Sequence, residues 1–364
     1  MVVVYLFLLL LIVDFIYVSI VFFRNKEIPQ KKLTIVSIVA VIALSGIAYC
    51  IIPGKTTDLY AHFETIKQIS FDGFSAKTSV DNLVIIKALF FMISKTNNYH
   101  LLPMVITLIT YSIYFFIFNK MYYKNNKNLK KIDIINILIL FFALCNFYYI
   151  ATGIKTALAY SLLALSFYLI DINKKKLAYF LILISIFCHG SVLVLVFFYL
   201  LCNFKLFTNY RFVLIFTFLF ARLASVLFIN IPISIFQYIG EKIILYINRS
   251  TFTLNPIVLV TEIILALLLI YRTQKVIICK KNENDLNLKN IYYIQSLLLL
   301  GIGTIFLSDI ILERMLMLVA FLIPKLIILE NKNKKNYFFV IDIFCSIILI
   351  VYFIVRLINH VSFL

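Results

Sequence analysis

Charged residues are scarce in this sequence. Asp, Glu, Lys and Arg make up 14% of its 364 residues, against about 25% in a typical soluble domain. The shortage excludes an ordinary soluble protein, and no segment is polar enough over a sufficient length to fold as a separate soluble domain. We therefore expect a single multi-pass membrane domain over residues 1–364, with function in its membrane part and external loops.

Paired cysteines are also lacking. The six cysteines lie in or beside apolar runs, with neither a C-x-x-C pair nor the spacing of a metal site. We expect buried free thiols, and the sequence indicates neither a metal nor another cofactor. The cysteines are Cys50, Cys145, Cys188, Cys202, Cys279 and Cys345.

Two further patterns are missing. The chain shows neither an inverted repeat nor a pair of Gly- or Pro-broken apolar segments at matching places in its two halves. Such segments are typical of secondary transporters, so their absence counts against that class without excluding it. An H-x-x-x-x-D pattern is missing too, which counts against a membrane acyltransferase.

The sequence is rich in long apolar runs. Hydrophobic residues make up 63% of the chain, and its mean hydropathy is +1.04. Runs of about 20 apolar residues, each long enough to cross roughly 30 Å of hydrocarbon, recur along it. Because backbone groups in lipid must pair internally, these runs are helices. The sequence predicts an all-α, polytopic helical membrane protein.

Positive charge is concentrated in short turns between the apolar runs. The net charge of +18 could indicate a nucleic-acid partner, but this distribution is typical of cytoplasmic loops beside anionic membrane lipids. We therefore expect no nucleic-acid partner. The predicted cytoplasmic loops are 24–32, 120–131, 172–176, 272–290 and 330–336.

Holding these loops on the cytoplasmic side gives about twelve transmembrane helices; the number of crossings between residues 202 and 254 stays open. The predicted spans are 2–23, 33–53, 99–119, 132–150, 155–171, 177–201, 211–229, 231–247, 255–271, 291–308, 314–329 and 337–358. Residues 54–98 form a long external segment. Within it, 82–96 is apolar but short and interrupted by Lys87, so we predict a re-entrant or interfacial segment.

Two ionisable residues stand in the apolar stretch 151–194. Lys155 opens one helix at its outer end, and His189 lies well inside the next, about 18 Å from the cytoplasmic start of that helix. Such groups are costly at membrane depth and usually line a cavity. Alternatives stay open, because Lys155 can snorkel to the surface and His189 can be a neutral histidine bonded to a carbonyl or to Ser185.

Other charged residues gather at the predicted outer ends of spans. These residues could share one outward-facing cavity with Lys155 and His189, or they could form ordinary solvated turns. They are Asp58 after the second span, Asp309, Glu313 and Arg314 in a turn between two late spans, and Arg356 near the end of the last.

Arg222 lies in the middle of a predicted span, where arginine cannot become neutral to avoid the cost of burial. It needs a partner, for which Glu262 is one candidate. Asp342 lies beside the basic loop 330–336, and we expect it to pair there.

Several short motifs resemble the EpsG family of bacterial surface-polysaccharide polymerases, which are Wzy-like proteins. The resemblance rests on G-I-K-T-A-L-A-Y-S at 153–161, I-F-C-H-G-S-V-L-V at 186–194, T-T-D-L-Y-A-H-F at 56–63 and E-R-M-L-M-L at 313–318. Lys155 and Thr156 depart from the Arg-Gln usual in the family, which keeps a cation but loses its bidentate fork. The resemblance implies a Wzy-type, GT-C-like architecture with an outward-facing cavity.

The resemblance also implies a reaction. Oligosaccharide repeat units carried on undecaprenyl diphosphate would be joined at the outer face of the bacterial cytoplasmic (inner) membrane. The product would be O-antigen, as in lipopolysaccharide, or exopolysaccharide. The implied partners are the lipid-linked glycan donor and acceptor, membrane lipids and a chain-length regulator protein.

This reaction assigns roles to the residues found above. The leaving diphosphate needs fixed cations, and the attacking hydroxyl needs a base. The predicted catalytic residues are His189 and Asp58. The predicted diphosphate- and substrate-binding residues are Arg314, Lys155, Arg222, Asp309 and Tyr60, with no metal ion required.

Other functions remain compatible with the sequence. An O-antigen ligase-type glycosyltransferase would share the donor and differ in the acceptor. A polysaccharide transporter or flippase would need charged pairs on both membrane faces, whereas the unexplained charges here lean outward.

Overall fold

The computed structural model describes residues 5–10, 12–14, 17, 30–55, 57–125, 131–202, 230, 237, 240–241, 256–279, 287–304, 309–331 and 339–363. The described chain is helical almost throughout. Its helices are α1 (Gln30–Tyr49), α2 (Asp58–Asp72), α3 (Val84–Ser94), α4 (Leu101–Asn125), α5 (Lys131–Leu144), α6 (Phe147–Thr152), α7 (Ile154–Asp171), α8 (Lys175–Cys188), α9 (Ser191–Leu201), α10 (Pro256–Cys279), α11 (Asn287–Gly303), α12 (Asp309–Asn331) and α13 (Phe339–His360). Two short strands complete it: β1 (Ile51–Pro53) and β2 (Val361–Phe363).

Five of the described helices are long and apolar enough to cross a membrane. They lie within α1, α4, α7, α10 and α13, and the longest candidate spans have 24 residues, about 36 Å at 1.5 Å per residue. The all-α membrane class predicted from the sequence is thus confirmed, while the number of about twelve spans stays a prediction. The predicted spans 211–229 and 231–247 lie almost entirely outside the described residues.

The predicted external segment contains two helices. Thr57 caps α2, because its hydroxyl oxygen accepts a hydrogen bond from the Tyr60 N–H. The second helix, α3, has 11 residues, which reach about 16 Å and fall short of a full crossing. Lys87 of α3 is buried, and its Nζ donates to the Ala76 carbonyl and to Asp81 Oδ1, each at 2.8 Å.

Strands β1 and β2 pair antiparallel, with Ile51 opposite Phe363. This pairing joins the end of α1 to the end of α13, so both helix ends lie at one end of the bundle, here called the clasp end. Gly54 follows β1 at a close approach, since a Cβ there would lie 2.6 Å from the His360 carbonyl oxygen. Its N–H instead donates to that oxygen at 3.1 Å.

Two predicted spans are interrupted in the structure. The helix predicted over 132–150 ends at Leu144, and Asn146 then caps the short helix α6 by accepting from the Tyr149 N–H. The helix predicted over 177–201 ends at Cys188 and resumes at Ser191. Continuous apolar character gives no sign of the first break. At the second, Gly190 is the local signal.

A buried ion-pair network holds the opposite end of the bundle. Arg272 of α10 is 1% exposed, and it donates from Nε and Nη2 to Glu330 Oε2 at 2.9 and 2.6 Å. Its Nη1 donates to Asp342 Oδ2 at 2.5 Å, and Asn136 Nδ2 donates to the same oxygen at 3.0 Å. The structure pairs Asp342 with Arg272, because α10 packs beside α12 and α13. The lysines of the loop 330–336, which the sequence predicts as its partners, lie outside the described residues.

A second ion pair lies on the same side of the bundle. Lys325 Nζ donates to Asp171 Oδ2 at 2.6 Å, and Asn290 Nδ2 donates to that oxygen at 2.9 Å. These bonds join α7, α11 and α12. The two networks therefore fix the helices far from the clasp end by pairing each buried cation with a carboxylate, as a low-dielectric interior requires.

Candidate functional site

Arg356 projects from the last turns of α13 onto two tyrosines of α6. Its Nη1 donates a hydrogen bond of 2.6 Å to the Tyr149 hydroxyl. The guanidinium lies 5.0 Å from the ring centroid of Tyr148 and 5.3 Å from that of Tyr149, within the range of cation–π contacts. The β1–β2 pairing fixes the position of Arg356, because β2 follows α13 directly and is hydrogen-bonded to β1.

Three carboxylates interact electrostatically with the same tyrosines. Glu313 is buried on α12 and lies within hydrogen-bonding range of the Tyr149 side chain. Glu262, buried on α10, interacts electrostatically with Tyr149, and Asp58 does so with Tyr148. Residues from α2, α6, α10, α12 and α13 thus converge. We call this group the tyrosine cluster: Asp58, Tyr148, Tyr149, Glu262, Glu313 and Arg356.

Lys155 lies near a buried histidine. It is half-buried on the second residue of α7, and its charge acts on His62, which is 5% exposed and packs against the Phe90 ring. Burial, together with the positive charge of Lys155, lowers the pKa of His62 from 6.5 to about 3. His62 is therefore a neutral imidazole at neutral pH. It stands one helical turn after Asp58 on α2, so it adjoins the tyrosine cluster along the chain.

His189 lies in the break between α8 and α9. It adopts an extended conformation and caps α8, with its N–H donating to the Ser185 carbonyl at 3.0 Å. Its Nδ1 accepts a hydrogen bond from the Ser191 N–H at 3.2 Å and lies 2.7 Å from the Ser191 hydroxyl oxygen. The predicted side-chain partner Ser185 donates to the Ala159 carbonyl instead.

This contact sets the tautomer of His189. A backbone N–H can only donate, so Nδ1 carries a lone pair and the proton of the neutral ring is on Nε2. In this state the ring offers a donor from Nε2, and its one acceptor nitrogen faces Ser191. A base role for His189 would require Nδ1 to leave Ser191, so the geometry favours donation over proton abstraction.

The remaining predicted site residues are placed as follows. Arg314 is half-buried and follows Glu313 on α12, and Asp309 is the first residue of that helix. Tyr60 is half-buried in the first turn of α2. Arg222 lies outside the described residues. Within the described ranges, no group of three His, Cys, Asp or Glu side chains is close enough together to hold a metal ion.

The structure thus brings together residues from distant parts of the chain. From the sequence, the charged span ends could be assigned only to the same side of the membrane. Sequence reasoning noted Arg356 at a span end but did not select it, and it missed Tyr149 and His62. For His62 a signal existed, since it stands four residues after Asp58 and shares its helix face. No local pattern distinguishes Tyr149 from the other 22 tyrosines of the chain, which has 23 in all.

The long apolar helices and the convergent polar cluster define a polytopic helical membrane protein with a candidate site near one end of its bundle. The model of the EpsG family matches residues 60–363, which include the whole tyrosine cluster except Asp58. The chain belongs to the EpsG family, a family of Wzy-like polysaccharide polymerases and glycosyltransferases. Searches of curated proteins and of solved structures gave no match.

Proposed function

We propose that this protein polymerises oligosaccharide repeat units carried on a polyprenyl diphosphate such as undecaprenyl diphosphate. Membership of the EpsG family supports a polysaccharide polymerase-type activity. The observation that carries the finer proposal is the tyrosine cluster, in which a fixed arginine and several carboxylates converge near the end of a membrane-spanning helix. Such a site suits a substrate whose tail lies in the membrane and whose charged head and sugars lie at its surface.

The cations have the chemistry to hold the leaving diphosphate. Phosphoryl oxygens are bound best by fixed donors in a water-poor site. Arg356 is held by the Tyr149 hydroxyl and two aromatic rings, so it presents its remaining N–H groups in one orientation. Lys155 and Arg314 are the further candidates on described helices, and Arg222 keeps the role predicted from the sequence.

The reaction needs one proton transfer. The acceptor hydroxyl oxygen attacks the anomeric carbon of the donor, the bond from that carbon to the diphosphate oxygen breaks, and the diphosphate leaves with the bonding electron pair. The hydroxyl proton passes to a base. We assign this role to Asp58, which is exposed at the start of α2 and can reach substrate. His189 donates from Nε2 to a substrate oxygen.

The proposed role of Asp58 as the base can be separated from its effect on the stability of α2. An acidic residue in the first turn of a helix is favourable simply because it interacts with the positive end of the helix dipole. Asp58→Asn keeps the side-chain shape while removing the base, so it tests catalysis rather than folding. Tyr60 and Asp309 are proposed to contact the sugars of the repeat unit.

The clasp end is proposed to face the outside of the bacterial cytoplasmic membrane. The predicted cytoplasmic loops 120–131 and 272–290 follow helix ends on the opposite side, as the positive-inside rule requires. Donor and acceptor would then reach the site as lipid-linked glycans, with a chain-length regulator protein as a further partner. A ligase-type glycosyltransferase is the alternative, since it would use the same donor with a different acceptor.

The proposal is tested in a strain deleted for this gene. The deletion should reduce surface glycan to single repeat units, and the native gene should restore a ladder of longer chains on a gel. Arg356→Gln should reach normal protein levels in the membrane and fail to restore the ladder, whereas Arg356→Lys should restore part of it. Lys95→Gln, at an exposed lysine that follows α3, is the matched control.

Two results would count against the proposal. A full ladder from Arg356→Gln would remove the tyrosine cluster from the mechanism. Loss of even the one-unit glycan in the deletion strain would favour a flippase or a ligase over a polymerase.

A further inference from the structure

A groove runs between α1 and α4, apart from the tyrosine cluster. Its volume is roughly 550 Å³, within the range of about 300–1,000 Å³ that small-molecule sites occupy. Among the described residues, its lining comes from these two helices: Thr34, Ser37, Ile38, Val41, Ile42, Leu108, Ser112, Phe115, Phe116, Asn119 and Lys120.

One end of the groove is lined by polar side chains and the other mostly by apolar ones. Near the start of α1 and the end of α4 the groove is polar, with Thr34, Ser37, Asn119 and Lys120. Asn119 Nδ2 donates to Ser37 Oγ at 3.2 Å, which ties the two helices at this point. Toward the clasp end the lining is mostly aliphatic and aromatic.

The apolar part opens to the surroundings of the bundle. Ile38 is 52% exposed, Ile42 is 50% exposed and Phe116 is 46% exposed. All three lie on helices that are candidate membrane spans, where exposed aliphatic and aromatic side chains contact lipid chains. The Lys120 ammonium lies 5.9 Å from the Phe116 ring centroid, so its stem follows the groove while its charge is at the polar end.

The polar end is far from the candidate active site. Thr34 precedes Tyr49, the last residue of α1 beside the clasp, by 15 positions, about 22 Å along a helix. A ligand with its charged head at Lys120 therefore has its head at the opposite membrane surface from the tyrosine cluster. This separates the groove from the head group of the proposed substrate.

We propose that this groove binds one anionic phospholipid of the phosphatidylglycerol type. Its phosphate pairs with the Lys120 ammonium, its glycerol hydroxyls meet Thr34 and the Ser37–Asn119 pair, and one acyl chain lies along Ile38, Ile42 and Phe115. Charge complementarity selects an anionic head group, because the only ionisable side chain among the described lining residues is that of Lys120. The lipid fills the space between α1 and α4 and supports their packing.

The test is native mass spectrometry of the purified full-length protein, with phosphatidylglycerol or phosphatidylcholine added in matched detergent. The native protein should retain one phosphatidylglycerol in preference to phosphatidylcholine. Lys120→Gln should weaken phosphatidylglycerol binding about fivefold, the contribution of one basic residue at an anionic surface. Ser112→Trp should fill the exposed middle of the groove and abolish binding. Lys176→Gln, at an exposed lysine at the start of α8 and outside the groove, should bind as the native protein does.

Three results would overturn the proposal. They are equal binding of both phospholipids, undiminished phosphatidylglycerol binding by Lys120→Gln and Ser112→Trp, or displacement of phosphatidylglycerol by a polyprenyl phosphate at this groove. The readout is lipid binding alone, so it stands or fails independently of the proposed polymerase activity.

Discussion

Arg356 and Tyr149 form a hydrogen bond of 2.6 Å between residues 207 positions apart in the chain. The bond joins the last helix to the short helix α6, which exists because the chain breaks after Leu144. A membrane-embedded arginine that is oriented in this way can bind an anion without first losing conformational freedom. The geometry of the clasp end is therefore suited to binding a diphosphate.

Tyr149→Phe should slow glycan polymerisation about tenfold with little change in protein level, because loss of a hydrogen bond to a charged group costs about 1.5–3 kcal/mol. The initial rate of chain extension in membranes gives the measurement. Tyr179→Phe, at an exposed tyrosine of α8, is the control and should leave the rate unchanged. An unaltered rate in Tyr149→Phe would mean that the hydroxyl does not position Arg356 for the reaction.

His189→Asn should separate the structural role of the histidine from its chemical role. The amide oxygen of asparagine can accept the Ser191 N–H as Nδ1 does, so the thermal stability of the detergent-solubilised protein should stay near that of the native protein. The donor at Nε2 is lost, and polymerisation should fall by about 100-fold, as for loss of one fixed hydrogen-bond donor to a charge that develops in the transition state. His189→Ala should lower both the thermal stability and the polymerisation activity. A native ladder from His189→Asn would show that His189 is a helix cap only.

Acid should destabilise the protein through His62. The pKa of this side chain is lowered from 6.5 to about 3 by burial and by Lys155. Its stabilising effect is therefore complete above pH 6.5 and is lost as the pH falls toward 3, because only the unfolded chain binds the proton in that range. At pH 5 the loss amounts to about 2 kcal/mol.

Thermal unfolding in detergent at pH 7.5 and pH 5 measures this loss. The decrease in stability should be smaller in His62→Gln, which cannot take up the proton. Equal pH sensitivity in the two proteins would show that His62 is not the buried titrating group.

Arg272→Met should destabilise the protein by about 3–5 kcal/mol, since it leaves the carboxylates of Glu330 and Asp342 buried without their cation. The combined variant Arg272→Met, Glu330→Gln, Asp342→Asn should recover most of that loss, because no unpaired charge remains. Retention of the monodisperse species after heating gives the comparison. If the triple variant is no more stable than Arg272→Met, the ion pairs are not the cause of the destabilisation.

The helical membrane class could be predicted because it depends on local apolar length. A run of about 20 apolar residues has no other stable conformation in lipid, and α1, α4 and α13 lie close to the predicted spans. The breaks at Asn146 and His189 were not predicted, because the sequence is apolar on both sides of each break and Gly190 alone does not specify one. They depend on packing against other helices.

The site could be predicted only in part. Asp58 was selected because of its position after a span, and it belongs to the tyrosine cluster through its electrostatic interaction with Tyr148. Arg356 and Tyr149 meet through a contact between distant segments, which one sequence does not encode locally. Glu313 was assigned to an outer turn, whereas it is buried on a continuous helix. The positions of Arg356 and Glu313 depend on how α13 and α12 pack against the other helices.

The most direct test of the account is reconstitution of the purified protein in lipid nanodiscs with a synthetic oligosaccharide repeat unit on polyprenyl diphosphate. We expect products of two or more repeat units, with one polyprenyl diphosphate released for each new glycosidic bond, and no such products from Arg356→Gln. Release of polyprenyl diphosphate without glycan extension, or extension by Arg356→Gln at the native rate, would contradict the account.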